Sequence, residues 1–390
     1  MRVLFIAHMN VVTGATFALV NLVKGLSKYG VEIGIVCPQR TGELQECLKG
    51  YNIQYFSPKY AYGINWYPSG KTILHRIKSF IVERLKIEMA KPFVKDVIKS
   101  FRPDIVHCNT GACDIAYRAC LDLNIPHVWH LREYQDLDFH FHVYPSMKAL
   151  RKKILADGNF NIAITKGVFS HFTLRPYDKV VYDGIFPKDE IPVKAASFPF
   201  EYILNVGSFT EAKGLKQLLE AFVKVHSSYP SLHLLVAAKI FKDSSYYKYC
   251  CSFVAKHGLE DTVHFLDYRT DVYSLMKGAK ALVVASPFEG FGFITAEGMY
   301  NNCVVIAHNT AGTKEQLDIG YEQTGHEIAL RYNNQQELIS CISAVMTQNF
   351  SDMTYLAKKV VNKNYTVENY SLQIYEYYQY ILETKYGKKG

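Results

Sequence analysis

The sequence predicts an α/β protein made of two parallel-sheet domains, and three observations carry that expectation. Short apolar runs alternate with longer segments whose apolar residues recur at three- and four-residue spacing, the strand and helix alternation that builds parallel sheets. The pattern runs through twice in 390 residues, a length that suits two domains of ordinary size. Apolar residues make up 49% of the chain, enough to fill two buried cores.

The first half opens with VLFIAH, VVTGATFALVNLVKGLSKYG and VEIGIVC, which read as strand, glycine-containing loop, helix and strand. Ala18, Leu19, Leu22, Val23 and Leu26 form the helix's apolar stripe for packing on a sheet. The loop at 10–14 lacks the G-x-G-x-x-G spacing of dinucleotide enzymes, so it gives a nicotinamide cofactor no support. The segments PDIVHCNTG (103–111) and PHVWHLREY (126–134) read as short buried strands ending at His107 and His130. Open parallel sheets bind ligands just past the carboxyl ends of their strands, which makes polar residues there candidates. Taken alone, a histidine beside Trp129 reads better as a satisfied core residue, and His107 keeps that reading.

The second half repeats the architecture. EYILNVGSFTEAKGLKQLLEAFVKV gives a strand to Val206, a loop, and a helix from near Gly214 with Leu215, Leu218, Leu219 and Phe222 on one face. Lys213 ends that loop with a flexible ammonium of the kind that meets phosphate. Arg269 follows a strand at 263–266, where it approaches a nucleotide or serves as an ordinary surface arginine. CVVIAHNTAGTKEQL (303–317) adds a strand, a turn with Thr310, Gly312 and Thr313, and a helix start where Glu315 favours the dipole. Pro187, Pro192 and Pro199 interrupt the pattern across 182–200, the expected domain boundary. The Tyr-rich segment 369–382 reads as an amphipathic helix, followed by a frayed end at 385–390.

The most informative stretch is SPFEGFGFITAEG, residues 286–298. The run 281–285 reads as a buried strand and 293–300 as a helix, so the turn between them is a strand-to-helix loop. A helix's first turn offers backbone N–H groups and the positive end of its dipole, and Gly290 and Gly292 let a ligand approach the backbone. Glu289 and Glu297 flank this anion cradle. Phosphates in the middle and hydroxyl-rich sugars at both ends describe a nucleotide sugar, although a lone acidic pair serves equally as a helix cap and a solvated face.

Glu289, the Gly-Phe-Gly turn and a second Glu after seven intervening residues resemble the signature of the family 4 retaining glycosyltransferases. The resemblance implies two Rossmann-like domains facing across a cleft, the GT-B arrangement. It makes 1–186 the acceptor-side domain, 187–368 the donor domain, and 369–390 a helix packing back on the N-terminal domain. Glu289 would contact donor-sugar hydroxyls and Glu297 the ribose, with Gly290, Phe291, Gly292, Phe293, Ile294 and Thr295 around the diphosphate. Gly14 would lie near the donor phosphate and His130 beside the reacting sugar, with Arg132 and Glu133 as weaker neighbours. Lys213 would hold the diphosphate. The family usually has an arginine directly after the glycine of that loop, where this chain has Ser208, so one expected cation is missing. Asp183 stands where the family more often has asparagine. The reaction so implied transfers a hexose or N-acetylhexosamine from a nucleoside-diphosphate sugar, UDP favoured over GDP, to a saccharide acceptor, with no metal, cofactor or covalent nucleophile.

The net charge of +8 is concentrated in residues 71–102, where nine Lys or Arg mix with Ile, Leu, Phe and Val at helical intervals. This reads as a basic amphipathic helix for an anionic membrane surface, which a lipid-linked acceptor would favour, or as a solvated helix with its apolar side on the core. Its aromatic-poor polar face argues against nucleic acid. No uncharged apolar run is long enough to span a membrane, and the apolar N-terminus reads as a core strand rather than a signal peptide. Nine scattered cysteines, an odd number without zinc-ligand spacing, point to a reduced, cytoplasmic setting. Two further classes stay open: a nucleotide-sugar epimerase of the same architecture, and a non-catalytic scaffold subunit, which Ser208 motivates.

Overall fold

The computed structural model describes residues 1–62, 73–138, 143, 146–189 and 192–387, apart from the side chains at 73, 75 and 76. The chain forms two compact units, Met1–Pro187 with Tyr365–Gly390, and Lys188–Asn364. Among the described residues, unit 1 has a parallel sheet of β1 (Arg2–Ile6), β2 (Glu32–Val36), β3 (Ile53–Phe56), β4 (Ile105–Cys108), β5 (His127–Leu131), β6 (Asn159–Ala163) and β7 (Lys179–Val180). The spatial order is β3-β2-β1-β4-β5-β6-β7. Unit 2 has β8 (Tyr202–Val206), β9 (His233–Ala237), β10 (Val263–Phe265), β11 (Ala281–Val284), β12 (Val305–His308) and β13 (Leu330–Tyr332), in the order β10-β9-β8-β11-β12-β13. Each sheet reverses direction once, between β1 and β4 and between β8 and β11. In open parallel sheets the carboxyl ends of the strands on either side of such a reversal are the usual ligand position.

Strands buried on both faces favour apolar runs, as in β1 and β11, whereas the equally buried β4, β5 and β6 also carry His107, His127, His130, Asn159 and Asn161, each with a polar partner. In unit 1 the helix Gly14–Leu26 packs Leu19, Leu22, Val23 and Leu26 into a core shared with Ile374, Tyr377, Tyr378 and Ile381 of the last helix, Val367–Tyr386. That contact is close: a Cβ on Gly25 would lie 2.3 Å from Ser371 Oγ. The last helix is longer than 369–382 because the Thr366 side chain accepts the Asn369 N–H and so caps it earlier, and it runs on to Tyr386.

The helix Ile73–Phe101 has two unlike halves. Ile87, Ala90, Val94, Val97, Ile98 and Phe101 are buried, whereas Leu74, Ile77, Ile81, Leu85 and Met89 are exposed. Lys71, the first residue of the expected basic segment, lies outside the described residues. Among them, no helix is long and apolar enough to cross a membrane.

Candidate active site

At the reversal in unit 2, the loops after β8 and β11 meet. Gly214 closes the first loop at φ +69°, and a Cβ there would lie 1.9 Å from the Ala285 carbonyl oxygen, so only glycine permits this approach. The contact puts Lys213 across from Glu289, and Lys213 Nζ donates to Glu289 Oε1 at 2.6 Å. With side chains 33% and 17% exposed, both groups stay within reach of a ligand. Ser208 is exposed, its Oγ 3.3 Å from Thr210 Oγ1.

The helix Phe293–Tyr300 follows Gly292, which takes φ +89°. As N-cap, glycine brings no side-chain acceptor, and the first turn holds no acidic residue, so its partial positive charge is not offset from within. The turn after β12 holds the loop still. Gly312 N donates to the Glu289 carbonyl at 2.9 Å, Thr310 Oγ1 to Pro287 O at 2.8 Å, and Gln316 Nε2 to Phe291 O at 2.6 Å and Gly292 O at 3.0 Å. A Cβ on Gly312 would lie 2.3 Å from the Gly290 carbonyl. Phe291 and Thr295 are buried, and Phe293 and Ile294 half-buried. The hydroxyls of Thr295 and Thr313, both buried, make no hydrogen bond among the described residues, and both lie near Gly292. Buried hydroxyls ordinarily find a partner, and a bound anion would supply one.

Glu297 is half-buried one turn into the helix, and its Oε1 accepts from the Tyr273 hydroxyl at 3.2 Å. Burial pushes its carboxyl up to about 7, with the Tyr273 hydrogen bond opposing. Arg269 is exposed and already bidentate on Asp271, at 2.8 and 2.6 Å.

In unit 1, Gly14 starts the first helix in an exposed position. His130 is fully buried on β5, its Nδ1 3.2 Å from His107 Nε2 and 3.3 Å from Arg132 Nη2. Arg132 pairs with Asp183 in a buried ion pair, and also donates to Asn109 O at 3.0 Å and the Tyr370 hydroxyl at 2.8 Å. Asp183, the departure from the family's usual asparagine, therefore balances a buried guanidinium. Burial, helped by Asp138, pushes the half-buried Glu133 carboxyl up to about 8.

Two arrangements go against or beyond the sequence reading, which takes no Asp-x-Asp metal motif to be evident and pairs no cysteine with a base. Asp136, Leu137 and Asp138 form an Asp-x-Asp tripeptide, the pattern of many metal-binding transferases. Asp138 is occupied locally, accepting the N–H groups of Tyr134 and Gln135 at 2.8 Å each, and Asp136 lies 3.0 Å from His171 Nε2. Among the described residues no cluster of three His, Cys, Asp or Glu could hold a metal. Cys108, His127 and Asn159 stand in a row with contacts of 3.1 and 3.0 Å, like a cysteine nucleophile and its base. All three are buried and burial pushes the thiol up, so the row is an inert core bond.

Residues 12–185 match the model for Glycosyltransferase Family 4, and 188–360 that for Glycosyl transferases group 1. The chain is 28% identical over 185 residues to Alpha-1,3/1,6-mannosyltransferase ALG2 of Homo sapiens, covering 42% of this chain and 44% of that one. It is 31% identical over 144 residues to the uncharacterized glycosyltransferase MJ1178 of Methanocaldococcus jannaschii, covering 36% and 37%. Each alignment thus spans less than half of the relative. The fold is similar to that of Anabaena Alr3699/HepE in complex with UDP and glucose, with TM-score 0.72, 18% identity, and coverage of 96% of this chain and 98% of that one. With a glycosyltransferase model matched in each unit, the chain belongs to the family 4 glycosyltransferases, and its fold, similar along almost its whole length to that UDP-bound protein, is GT-B.

Proposed function

We propose that this chain transfers a hexose or N-acetylhexosamine from a nucleoside-diphosphate sugar, UDP preferred, to a saccharide hydroxyl, with retention at the anomeric carbon and without a metal. The observation that carries the reading is the Lys213–Glu289 pair beside the glycine-capped helix. A diphosphate arriving at that helix meets positive charge from the dipole and from Lys213, whose ammonium turns from Glu289 to a phosphate oxygen. Glu289 then accepts from donor-sugar hydroxyls. As the bond from the anomeric carbon to phosphate breaks, charge grows on the departing oxygen, where Lys213 and the helix stabilise it, the electrostatic term that usually dominates such steps. The acceptor hydroxyl forms the new bond on the same face and passes its proton to the departing phosphate, so no covalent nucleophile is assigned. Glu297 holds the ribose. The UDP and glucose bound by the Anabaena protein support a UDP-sugar, and the mannosyltransferase relative supports a hexose.

Unit 2 is assigned the donor and unit 1 the acceptor, a lipid-linked saccharide in cell-surface polysaccharide synthesis at the inner face of a membrane. The exposed row Leu74, Ile77, Ile81, Leu85 and Met89, with Lys78 beside it, supports that last part. Exposed apolar rows mark surfaces that contact a membrane or another protein, and an interfacial helix is the use that suits a lipid-linked acceptor. The scaffold reading keeps one observation in its favour, Ser208 in place of a cation.

Mass spectrometry of products from a panel of UDP- and GDP-sugars with lipid-linked acceptors tests the assignment. Glu289→Gln keeps the shape and removes the charge; since charged hydrogen bonds are worth about 1.5–3 kcal/mol, transfer should fall by about one to two orders of magnitude with the fold intact. Isomerised sugar nucleotide without acceptor would identify an epimerase, and no nucleotide binding at all a scaffold.

A further inference from the structure

The polar groups around β5 in unit 1 form a chain whose protons can be assigned. An arginine side chain has donors and no acceptor. Arg132 Nη2 lies 3.3 Å from His130 Nδ1, a hydrogen bond only if that nitrogen carries no proton. The same Nδ1 lies 3.2 Å from His107 Nε2, so His107 carries its proton on Nε2 and is the second donor. In a neutral ring His107 Nδ1 is then an acceptor, and the Tyr378 hydroxyl at 2.6 Å donates to it. His130 is left with its proton on Nε2, which makes no hydrogen bond among the described residues.

Both rings are fully buried, and burial together with the Arg132 charge holds each well below the ordinary imidazole range. Arg132 cannot swing away to release the arrangement. Asp183, Asn109 and Tyr370 hold its nitrogens, and Tyr370 and Tyr378 both come from the last helix, so the end of the chain completes the row.

We propose that Arg132 and His107 are positioning residues that lock His130 as the neutral Nε2–H tautomer, a fixed hydrogen-bond donor to a hydroxyl of the bound saccharide. The proposal rests on His130 being part of the transferase site. It also removes His130 as a general base, because Nε2 is protonated and the Nδ1 lone pair is taken by two donors. The proton of the acceptor hydroxyl therefore leaves by another route, consistent with transfer to the departing phosphate.

The ring state is readable in the unaltered full chain by two-bond nitrogen–proton correlation after histidine labelling. At neutral pH both His107 and His130 should show a single proton, on Nε2; a proton on His130 Nδ1, or on both its nitrogens, overturns the proposal. Two pairs of variants test the roles. His130→Gln sets an amide donor near the Nε2 position and His130→Asn near Nδ1, so Gln should retain about tenfold more turnover than Asn, and equal loss overturns the donor role. His107→Gln keeps a donor toward His130 and should restore turnover lost in His107→Leu; equal loss in both makes His107 mere packing. Wild-type transfer is measured alongside. Its absence across the donor panel would overturn the functional reading, whereas the spectrum judges the tautomer independently.

Discussion

Lys213–Glu289 in unit 2 and Arg132–Asp183 in unit 1 are both ion pairs near the ligand edge of a parallel sheet, but their side chains are 33% and 17% exposed in the first and 3% and 1% in the second. That difference separates chemistry from architecture. A water-accessible pair contributes little to stability, so its members can exchange each other for a ligand at low cost. A pair buried on both sides cannot: removing one member strands a charge in low dielectric. A cation–carboxylate pair is thus adjustable in one unit, as the proposed donor site requires, and fixed in the other, as the proposed support of His130 requires.

Stability shows the contrast most strongly. Asp183→Ala leaves the Arg132 guanidinium buried without its counter-charge and should cost about 3–5 kcal/mol in denaturant unfolding. Lys213→Ala should cost less than about 1 kcal/mol in the same measurement. Similar losses for the two would erase the distinction between them.

Ligand binding should reverse the order. Lys213→Ala removes the side-chain cation assigned to the diphosphate, and Ser208 cannot replace it. A charge-assisted hydrogen bond of about 1.5–3 kcal/mol implies at least tenfold weaker nucleoside diphosphate binding by calorimetry, with bare nucleoside little changed. Equal losses for the two ligands would take Lys213 off the phosphates.

Glu297 sharpens the comparison with a pH dependence. Its carboxyl titrates at about 7, so one unit below that value about nine in ten molecules carry it protonated. Ribose hydroxyls donate best to the carboxylate, so nucleoside affinity should rise about tenfold as the pH climbs from one unit below 7 to one above, and Glu297→Gln should flatten the curve. For stability the sign is opposite. The folded chain holds this proton more tightly than the unfolded chain does, so the residue's contribution declines as the pH rises from the ordinary glutamate value toward about 7. A nucleoside affinity independent of pH would remove Glu297 from the ribose.

These expectations differ in how far the sequence reveals them. Periodicity exposes the two sheets because buried strands are mainly apolar and each covering helix carries a stripe, and the Gly-Phe-Gly turn marks the proposed anion cradle because Gly292 takes a positive φ. Pairing across distance is hidden. Arg132 and Asp183 lie 51 positions apart, and His107 and Tyr378 lie 271 apart, so nothing local in either stretch names the other. Glu289 and Lys213 were each legible, but their contact was not, since it depends on how closely Gly214 approaches Ala285. The exposed row on Ile73–Phe101 was hidden for another reason: its apolar spacing matches that of a core face, and the sequence does not say which turns of the helix reach the core.

The smallest effect belongs to that row, where charge and apolar surface can be told apart. Arg84 and Lys86 are ion-paired with Glu88 and Glu83, whereas Lys78 makes no ion pair among the described residues. A cation near an anionic surface contributes about 1 kcal/mol, so Lys78→Gln should weaken partition onto anionic vesicles by about fivefold. Raised salt should mimic that loss, because the attraction is screened over about 10 Å at about 0.1 M. Ile81→Ser should weaken partition too, but independently of salt, since its contribution comes from removing apolar surface from water. Turnover of a soluble acceptor should be unchanged in both variants. Vesicle sedimentation indifferent to salt and to both substitutions would return the helix to the solvated face of unit 1 and leave a lipid-linked acceptor without support.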